Sequence, residues 1–465
     1  MEKFSFSSTP VKRNPVNSTF RCIQTAIPVP ESLPIFAELG RCESGSMHGQ
    51  MPIIWDRAKD FQIFDHWGNT WIDFTSGIFV ASVGHSNTRI LSALRGLLDQ
   101  ELLYTYNYAT NARVEYLKKL IDFTPSELEK AYLISTGSEA TEMVVKLMRM
   151  HAQRINKRSV GIVSFLGSYH GRTQGATMIG GVPQGRKWIG YEDPNVWQVP
   201  FPYASNFKNK ETGSDLFYEQ VKFLKSKGVD PEKDLAGFLF EPYIGWAAEF
   251  IPVDYAQTAK EFAEKHSIIM AFDEVQSGFG RTGKLFCYQH FSVIPDLIAC
   301  GKGISSSLPL GAVLGRADLL DLPERGSMSS THSANPLACA AGLATLEEFE
   351  EKNLVIESER KGHILLDRLN TLKSRFPENI ATINGKGLLA AVIFKSPVTG
   401  EADSLTASRV CERCMHEGVL LVHTYRESIK MGPPLTISDL ALNEGLDVFE
   451  SVVEDIILED GLRRS

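Results

Sequence analysis

Ile268-Ile-Met-Ala-Phe-Asp-Glu-Val-Gln-Ser-Gly-Phe-Gly-Arg-Thr-Gly283 opens as an unbroken apolar run, meets a carboxylate at Asp273 and ends in a glycine-spaced loop. Apolar runs without alternation are strands buried on both faces, as in parallel sheets covered by helices. Similar runs recur at Tyr132-Leu-Ile134, Gly161-Ile-Val-Ser-Phe165, Gly237-Phe-Leu-Phe240, Leu297-Ile-Ala299 and Ala312-Val-Leu314, with helical patterns between them. The spacing predicts an α/β fold with a largely parallel sheet between about 130 and 315. In such sheets ligands bind beyond the carboxyl ends of the strands, which is where Asp273 falls.

A second apolar run, in Asp296-Leu-Ile-Ala-Cys-Gly-Lys302-Gly303, leads to a lysine. Burial there lowers the amine's pKa and frees the neutral form to make a Schiff base with an aldehyde. Asp273 on a neighbouring strand suits the nitrogen of a protonated pyridine, a ring that accepts electrons from a carbanion. Gln276 is placed to donate to an oxygen on that ring. Thr136-Gly-Ser-Glu139 follows another strand and forms a capping box, with Thr136 as N-cap and Glu139 at N3. Gly137 and Ser138 then expose amides at the positive end of a helix, a geometry that suits phosphate. Tyr169-His-Gly171 offers an aromatic face for a flat heterocycle.

The flanks read differently. Residues 1 to about 50 are rich in Pro, Ser and Thr and read as an arm lying over another surface, such as a partner subunit. Phe61 to Phe74 reads as a β-hairpin turning at Trp67-Gly-Asn69. After about 340 the pattern becomes helical and charged, with strands at Leu388–Phe394 and Val419–His423. These changes predict three segments: 1–84, arm and part of a small domain; 85–340, a large cofactor-binding domain; and 341–465, the rest of a smaller α+β domain.

Apolar residues at 43%, charged residues at 22% and a net charge of -8 describe a globular protein without the basic field that nucleic acid or an anionic membrane requires. Seven scattered cysteines argue against a disulfide framework, and Cys411-Glu-Arg-Cys414 has no second pair to complete a metal site. The N-terminus lacks a secretory apolar segment, so the cytoplasm is the expected location.

Taken in order, Ser135-Thr-Gly-Ser-Glu-Ala140, Tyr169-His-Gly-Arg-Thr173, Phe240-Glu-Pro-Tyr-Ile-Gly245, the Asp273–Gly283 stretch, Gly301-Lys302-Gly303, Thr331-His-Ser-Ala-Asn-Pro336 and Gly432-Pro-Pro-Leu-Thr436 resemble the class III aminotransferases. These are pyridoxal-phosphate enzymes of fold type I that include the 4-aminobutyrate and ornithine aminotransferases. The resemblance implies that Lys302 holds the cofactor covalently and shuttles a proton, Asp273 binds the pyridine nitrogen, Val275 packs on the ring, Gln276 reaches its oxygen, and Tyr169 stacks opposite. Gly137 and Ser138 hold the phosphate, His170 joins the cofactor-binding set, and Thr331 reaches the cofactor of a second subunit in a homodimer.

For the substrate, the resemblance points to Glu241, Trp246, Arg426 and Lys430. Family members that act on amino acids often place a carboxylate-clamping arginine where this chain has Lys430, and lysine lacks the two-pronged donor. Arg426 is an alternative clamp. The implied reaction moves an amino group from a primary amine or ω-amino acid to a keto acid. A racemase or epimerase on the same scaffold is the main rival; a phospho-amine lyase and a noncatalytic binding protein are the others.

Overall fold

The computed structural model of the chain describes residues 4–206 and 212–464; Met1–Lys3, part of the stretch read for a secretory signal, lie outside them. The chain divides into two units, one comprising Thr88–Ile356 and the other Met1–Asn87 with Glu357–Ser465. The division falls at 87/88 and 356/357 rather than at 84/85 and 340/341. The helix Pro336–Glu351 belongs to the larger unit because it packs on the helices Thr88–Asp99 and Asn111–Phe123.

The larger unit is built on a seven-stranded sheet in the order Lys130–Ile134, Gly311–Gly315, Leu297–Cys300, Ile269–Asp273, Leu235–Phe240, Gly161–Phe165, Val196–Val199. Gly311–Gly315 runs antiparallel to both neighbours, while the pairings among the strands on its Leu297–Cys300 side are parallel. Residues of Gly161–Phe165, Leu235–Phe240, Ile269–Asp273, Leu297–Cys300 and Gly311–Gly315 are all buried, which accounts for their unbroken apolar sequences. Val196–Val199 has no counterpart in the sequence reading. It is a short edge strand, mostly half-buried, so its composition carries little of the central-strand signal. The helix Gly137–Arg154 lays Ala140, Val144, Leu147 and Met148 against Leu239, Ala271, Ala299 and Val313 of the sheet.

The smaller unit joins both ends of the chain. Gln62–Phe64 and Thr70–Asp73 form the expected hairpin, with the Asp65 carboxylate accepting from the amides of Trp67 and Asn69. Val419–Leu420 then pairs in parallel with Thr70–Asp73. A four-stranded sheet follows, in the order Ile380–Lys386, Leu389–Phe394, Ser428–Met431, Val422–His423. The N-terminal segment is more than an arm. Cys22–Ile23 pairs with the Thr70 strand, and Ile23, Ile27 and Val29 are buried with Ile63, Trp71, Met415 and Leu420. Leu33–Cys42 is a helix with no buried residue, and its Ile35 and Leu39 are exposed.

After Thr75 the backbone makes a left-handed turn: Ser76, Gly77, Ile78 and Phe79 have φ of 48°, 57°, 64° and 66°. Each non-glycine residue there costs about 1–2 kcal/mol. The turn is held by Phe79 N–H on Thr75 C=O (2.7 Å) and by the Ser76 hydroxyl on Gly432 C=O (2.6 Å). The Phe79 ring lies where a Cβ on Gly432 would stand, 2.1 Å from Cε1, so only glycine fits beneath it.

Candidate active site

Five strand ends of the larger unit carry the site. Thr136 follows Lys130–Ile134 and caps the helix Gly137–Arg154; its hydroxyl accepts from Glu139 N–H at 3.2 Å, and the Glu139 carboxylate accepts from Thr136 N–H at 2.9 Å. Gly137 and Ser138 occupy the first two helical positions, whose amides have no acceptor within a helix. A Cβ on Gly137 would stand 2.7 Å from Val275 Cγ1, and one on Gly301 would stand 3.1 Å from that atom and 3.3 Å from Gly137 Cα. The phosphate-type helix start, the Asp273 loop and the Lys302 loop therefore meet at van der Waals distance.

Asp273 ends its strand buried. Its Oδ2 lies 2.8 Å from His170 Nδ1, and its Oδ1 accepts from Val275 N–H at 3.0 Å. The ionised carboxylate only accepts, so His170 donates from Nδ1. Burial alone would lower the His170 pKa, but the bond and charge of Asp273, then the charge of Glu241, outweigh it and raise the pKa. His170 Nε2 is buried with no hydrogen-bond partner among the described residues. Thr141 ties this loop to the helix start, donating to His170 C=O at 2.7 Å and to Ser138 C=O at 2.9 Å.

Lys302 is half-buried with φ of 46°, a left-handed conformation uncommon for lysine. Burial lowers the pKa of its amine, while the charges of Asp273 and Glu241 act against that shift. The neutral amine, the form that attacks an aldehyde, is thus made more accessible. Tyr169 is 53% exposed, so a ring face is available, and its hydroxyl accepts from Arg172 Nε at 3.2 Å. The Tyr169 amide donates to Glu241 Oε2 at 3.1 Å.

Of the sequence-derived residues, Gly137, Ser138, Tyr169, His170, Glu241, Asp273, Val275 and Lys302 are linked in the larger unit by these contacts, bonds and charges, and Gln276 follows Val275 on the same loop. Trp246 is half-buried in the same unit, between the short strands Tyr243–Ile244 and Glu249–Phe250. Thr331 is exposed in the turn before Pro336–Glu351. Arg426 and Lys430 belong to the smaller unit. Arg426 is exposed between Val422–His423 and Ser428–Met431. Lys430 is 3% exposed, with Nζ 4.5 Å from the centre of the Phe79 ring.

Sequence reasoning missed two residues beside the site. Glu274, fully buried, accepts from Ser277 Oγ (2.5 Å), Tyr288 N–H (2.8 Å) and Cys287 N–H (3.0 Å), and so staples both ends of the glycine-rich loop. Burial, more than any neighbouring charge, raises its pKa to about 7. Tyr243, 2% exposed, donates its hydroxyl to Gln276 Oε1 at 3.1 Å. Both sit inside motifs that drew notice, but their roles depend on partners that sequence spacing does not reveal.

Known proteins resemble this chain over most of its length. The family model described as Aminotransferase class-III matches residues 44–453. A probable 4-aminobutyrate aminotransferase of Bacillus subtilis is 35% identical over 85% of this chain and 91% of its own length. A leucine/methionine racemase of Thermococcus litoralis is 33% identical over 87% and 91%. Among solved structures, the ornithine aminotransferase of Toxoplasma gondii, described with partial occupancy of PLP at its active site, superposes with a TM-score of 0.81 over 93% of this chain and 96% of its own, at 24% identity.

Proposed function

The chain belongs to the class III aminotransferases, enzymes that depend on pyridoxal phosphate, and from that premise we propose that it takes the amino group of a primary amine or ω-amino acid and delivers it to a keto acid such as 2-oxoglutarate or pyruvate. The two half-reactions share one site in turn, which makes the kinetics ping-pong. The observation that carries this reading is the meeting of Gly137, Val275 and Gly301 beside the Asp273–His170 pair, with a desolvated lysine one residue beyond Gly301.

The residues fit the cofactor. A side chain at Gly137 would strike Val275, so only glycine lets the Asp273 loop close on the helix start, where the amides of Gly137 and Ser138 are free of intrahelical duty. Bound there, pyridoxal phosphate supplies an aldehyde carbon and a ring that takes up electrons. Asp273, oriented by His170 and by Val275 N–H, would bind the ring nitrogen and favour its protonated form. Lys302 Nζ would hold the aldehyde carbon, with loss of water, and its free amine would move a proton at the donor's Cα. Val275 and Tyr169 would pack on the two faces of the ring, and Gln276 would bind its oxygen.

The smallest competent unit in this reading is a homodimer, with Thr331 of each subunit serving the other's phosphate. Its support is the exposure of Thr331 together with the exposed apolar side chains Leu103, Tyr104, Tyr108 and Trp188 of the larger unit. Glu241 and Trp246 stand as substrate residues, and Arg426 and Lys430 as candidate ligands of a substrate carboxylate.

A second reading, racemisation, is favoured by the leucine/methionine racemase relative. One experiment separates the two. Purified holoenzyme is mixed with single amines, diamines and ω-amino acids, and the bound cofactor's visible band is followed without a keto acid. Transamination bleaches that band and releases a carbonyl product, and a keto acid restores it. Deuterium uptake with inversion at Cα and no carbonyl product from any donor refutes the proposal in favour of racemisation.

A further inference from the structure

The N-terminal segment and two helices of the smaller unit, Ser404–His416 and Asp439–Arg464, enclose a cavity of about 150 Å³. The guanidinium groups of Arg13, Arg409 and Arg413 line it, along with the ring of His416 and the carboxylate of Glu412. Arg409 donates to Asp460 at 2.7 Å, Arg413 donates to Glu459 at 2.8 Å, and Glu412 accepts from the Ser7 amide at 2.9 Å. Those three side chains are therefore engaged. Arg13 has no acidic partner, and His416, though only 6% exposed, has no hydrogen bond among the described residues.

A buried polar ring that meets a cavity without a protein partner is completed from outside the chain. Water would satisfy the ring nitrogen but would leave the charge of Arg13 unbalanced. Burial, and then the charges of Arg13 and Arg413, push the His416 pKa down to about 4, so the ring is neutral at neutral pH. Positive surroundings that oppose a proton favour an anion. Either nitrogen of a neutral imidazole can carry the hydrogen, which lets the ring donate into the cavity. We propose that this cavity binds a small oxyanion, a phosphate or carboxylate group held by Arg13 and His416. Such a ligand would fasten residues 7–13 to the helix Ser404–His416. The site lies in the smaller unit and is independent of the transamination reading.

The test uses holoenzyme saturated with pyridoxal phosphate, so that the cradle at Gly137 and Ser138 is already filled. Inorganic phosphate and succinate are titrated separately by calorimetry at low ionic strength, and the two arms tell a phosphoryl from a carboxylate preference. At least one probe should bind with one equivalent per chain. Arg13→Gln and His416→Leu should each weaken that binding about ten-fold, as loss of one charge-assisted or buried hydrogen bond does. Arg13 is exposed, so its replacement leaves folding intact, and equal melting temperatures check both variants. Hydrogen exchange supplies a second readout. The amides of Ser7 and Val11 are bonded to Glu412 and to Ile27 C=O, and the probe at ten times its Kd should slow their exchange about ten-fold.

Failure of both probes to bind overturns the proposal. Binding that neither variant weakens lies elsewhere on the protein and overturns it equally, as does binding that leaves exchange at Ser7 and Val11 unchanged.

Discussion

Replacing Glu274 with Gln should change how the protein's stability depends on pH. The carboxyl is fully buried, and burial raises its pKa from 4.5 to about 7. A folded-state pKa above the unfolded one means that the folded chain binds more protons between those values, so stability falls as pH rises through that window. Each pKa unit is worth about 1.36 kcal/mol, and integration from pH 5 to pH 8 gives a loss of roughly 2–3 kcal/mol from this group alone. Glutamine carries no charge at either pH, so the variant lacks that loss. It pays instead a constant penalty: one end of its amide faces Tyr288 N–H or Cys287 N–H as donor to donor, at about 1–3 kcal/mol. Urea unfolding of both proteins at pH 5 and pH 8 supplies the double difference, in which all other titrating groups cancel. The variant should gain about 2–3 kcal/mol on the unaltered protein between pH 5 and pH 8. A stability difference that is the same at both pH values refutes the account of Glu274 as a buried, late-ionising carboxyl.

Three other perturbations follow from the geometry. Lys302→Ala should bind cofactor without the visible band of its covalent form, and a retained band removes the assignment of Nζ. Thr136→Ala strips the cap from the helix Gly137–Arg154 and should cost about 1 kcal/mol in unfolding experiments, while Thr136→Ser recovers most of it. Lys430 lies desolvated over the Phe79 ring, so Lys430→Met and Phe79→Leu should be coupled by about 1–2 kcal/mol in a double-mutant cycle; additive effects would mean that the cation gains nothing from the ring.

Much of the site was legible because its signals are local. The Thr136–Glu139 box spans four residues, Asp273 and Lys302 follow apolar runs, and the Trp67-Gly-Asn69 turn is written in its own residues. Other features depend on distant partners. Tyr243 acquires its role only when Gln276 arrives, and Glu274 only when Cys287 and Tyr288 close the loop. The left-handed turn at Ser76–Phe79 holds three residues that ordinarily avoid positive φ, so propensity argues against it; contacts from Lys430 and Gly432 sustain it. The core role of Ile23, Ile27 and Val29 was hidden by the Pro- and Ser-rich sequence around them. Assignment of the helix Pro336–Glu351 required its partner helices.

The antiparallel strand Gly311–Gly315 bears on how the chain is made. It pairs with Leu297–Cys300 just upstream, across the short return that contains Lys302, a local closure of the hairpin kind that takes microseconds. Its other neighbour, Lys130–Ile134, precedes it by nearly 180 residues. On a ribosome adding about 5–20 residues per second, that earlier strand waits roughly nine to thirty-five seconds for its partner. Both pairings thus wait for Gly311–Gly315, and of the two the one that shapes the bend at Lys302 is the local closure. Glu129 and Lys130, charged residues at the head of the waiting strand, stand where gatekeepers against premature strand pairing belong.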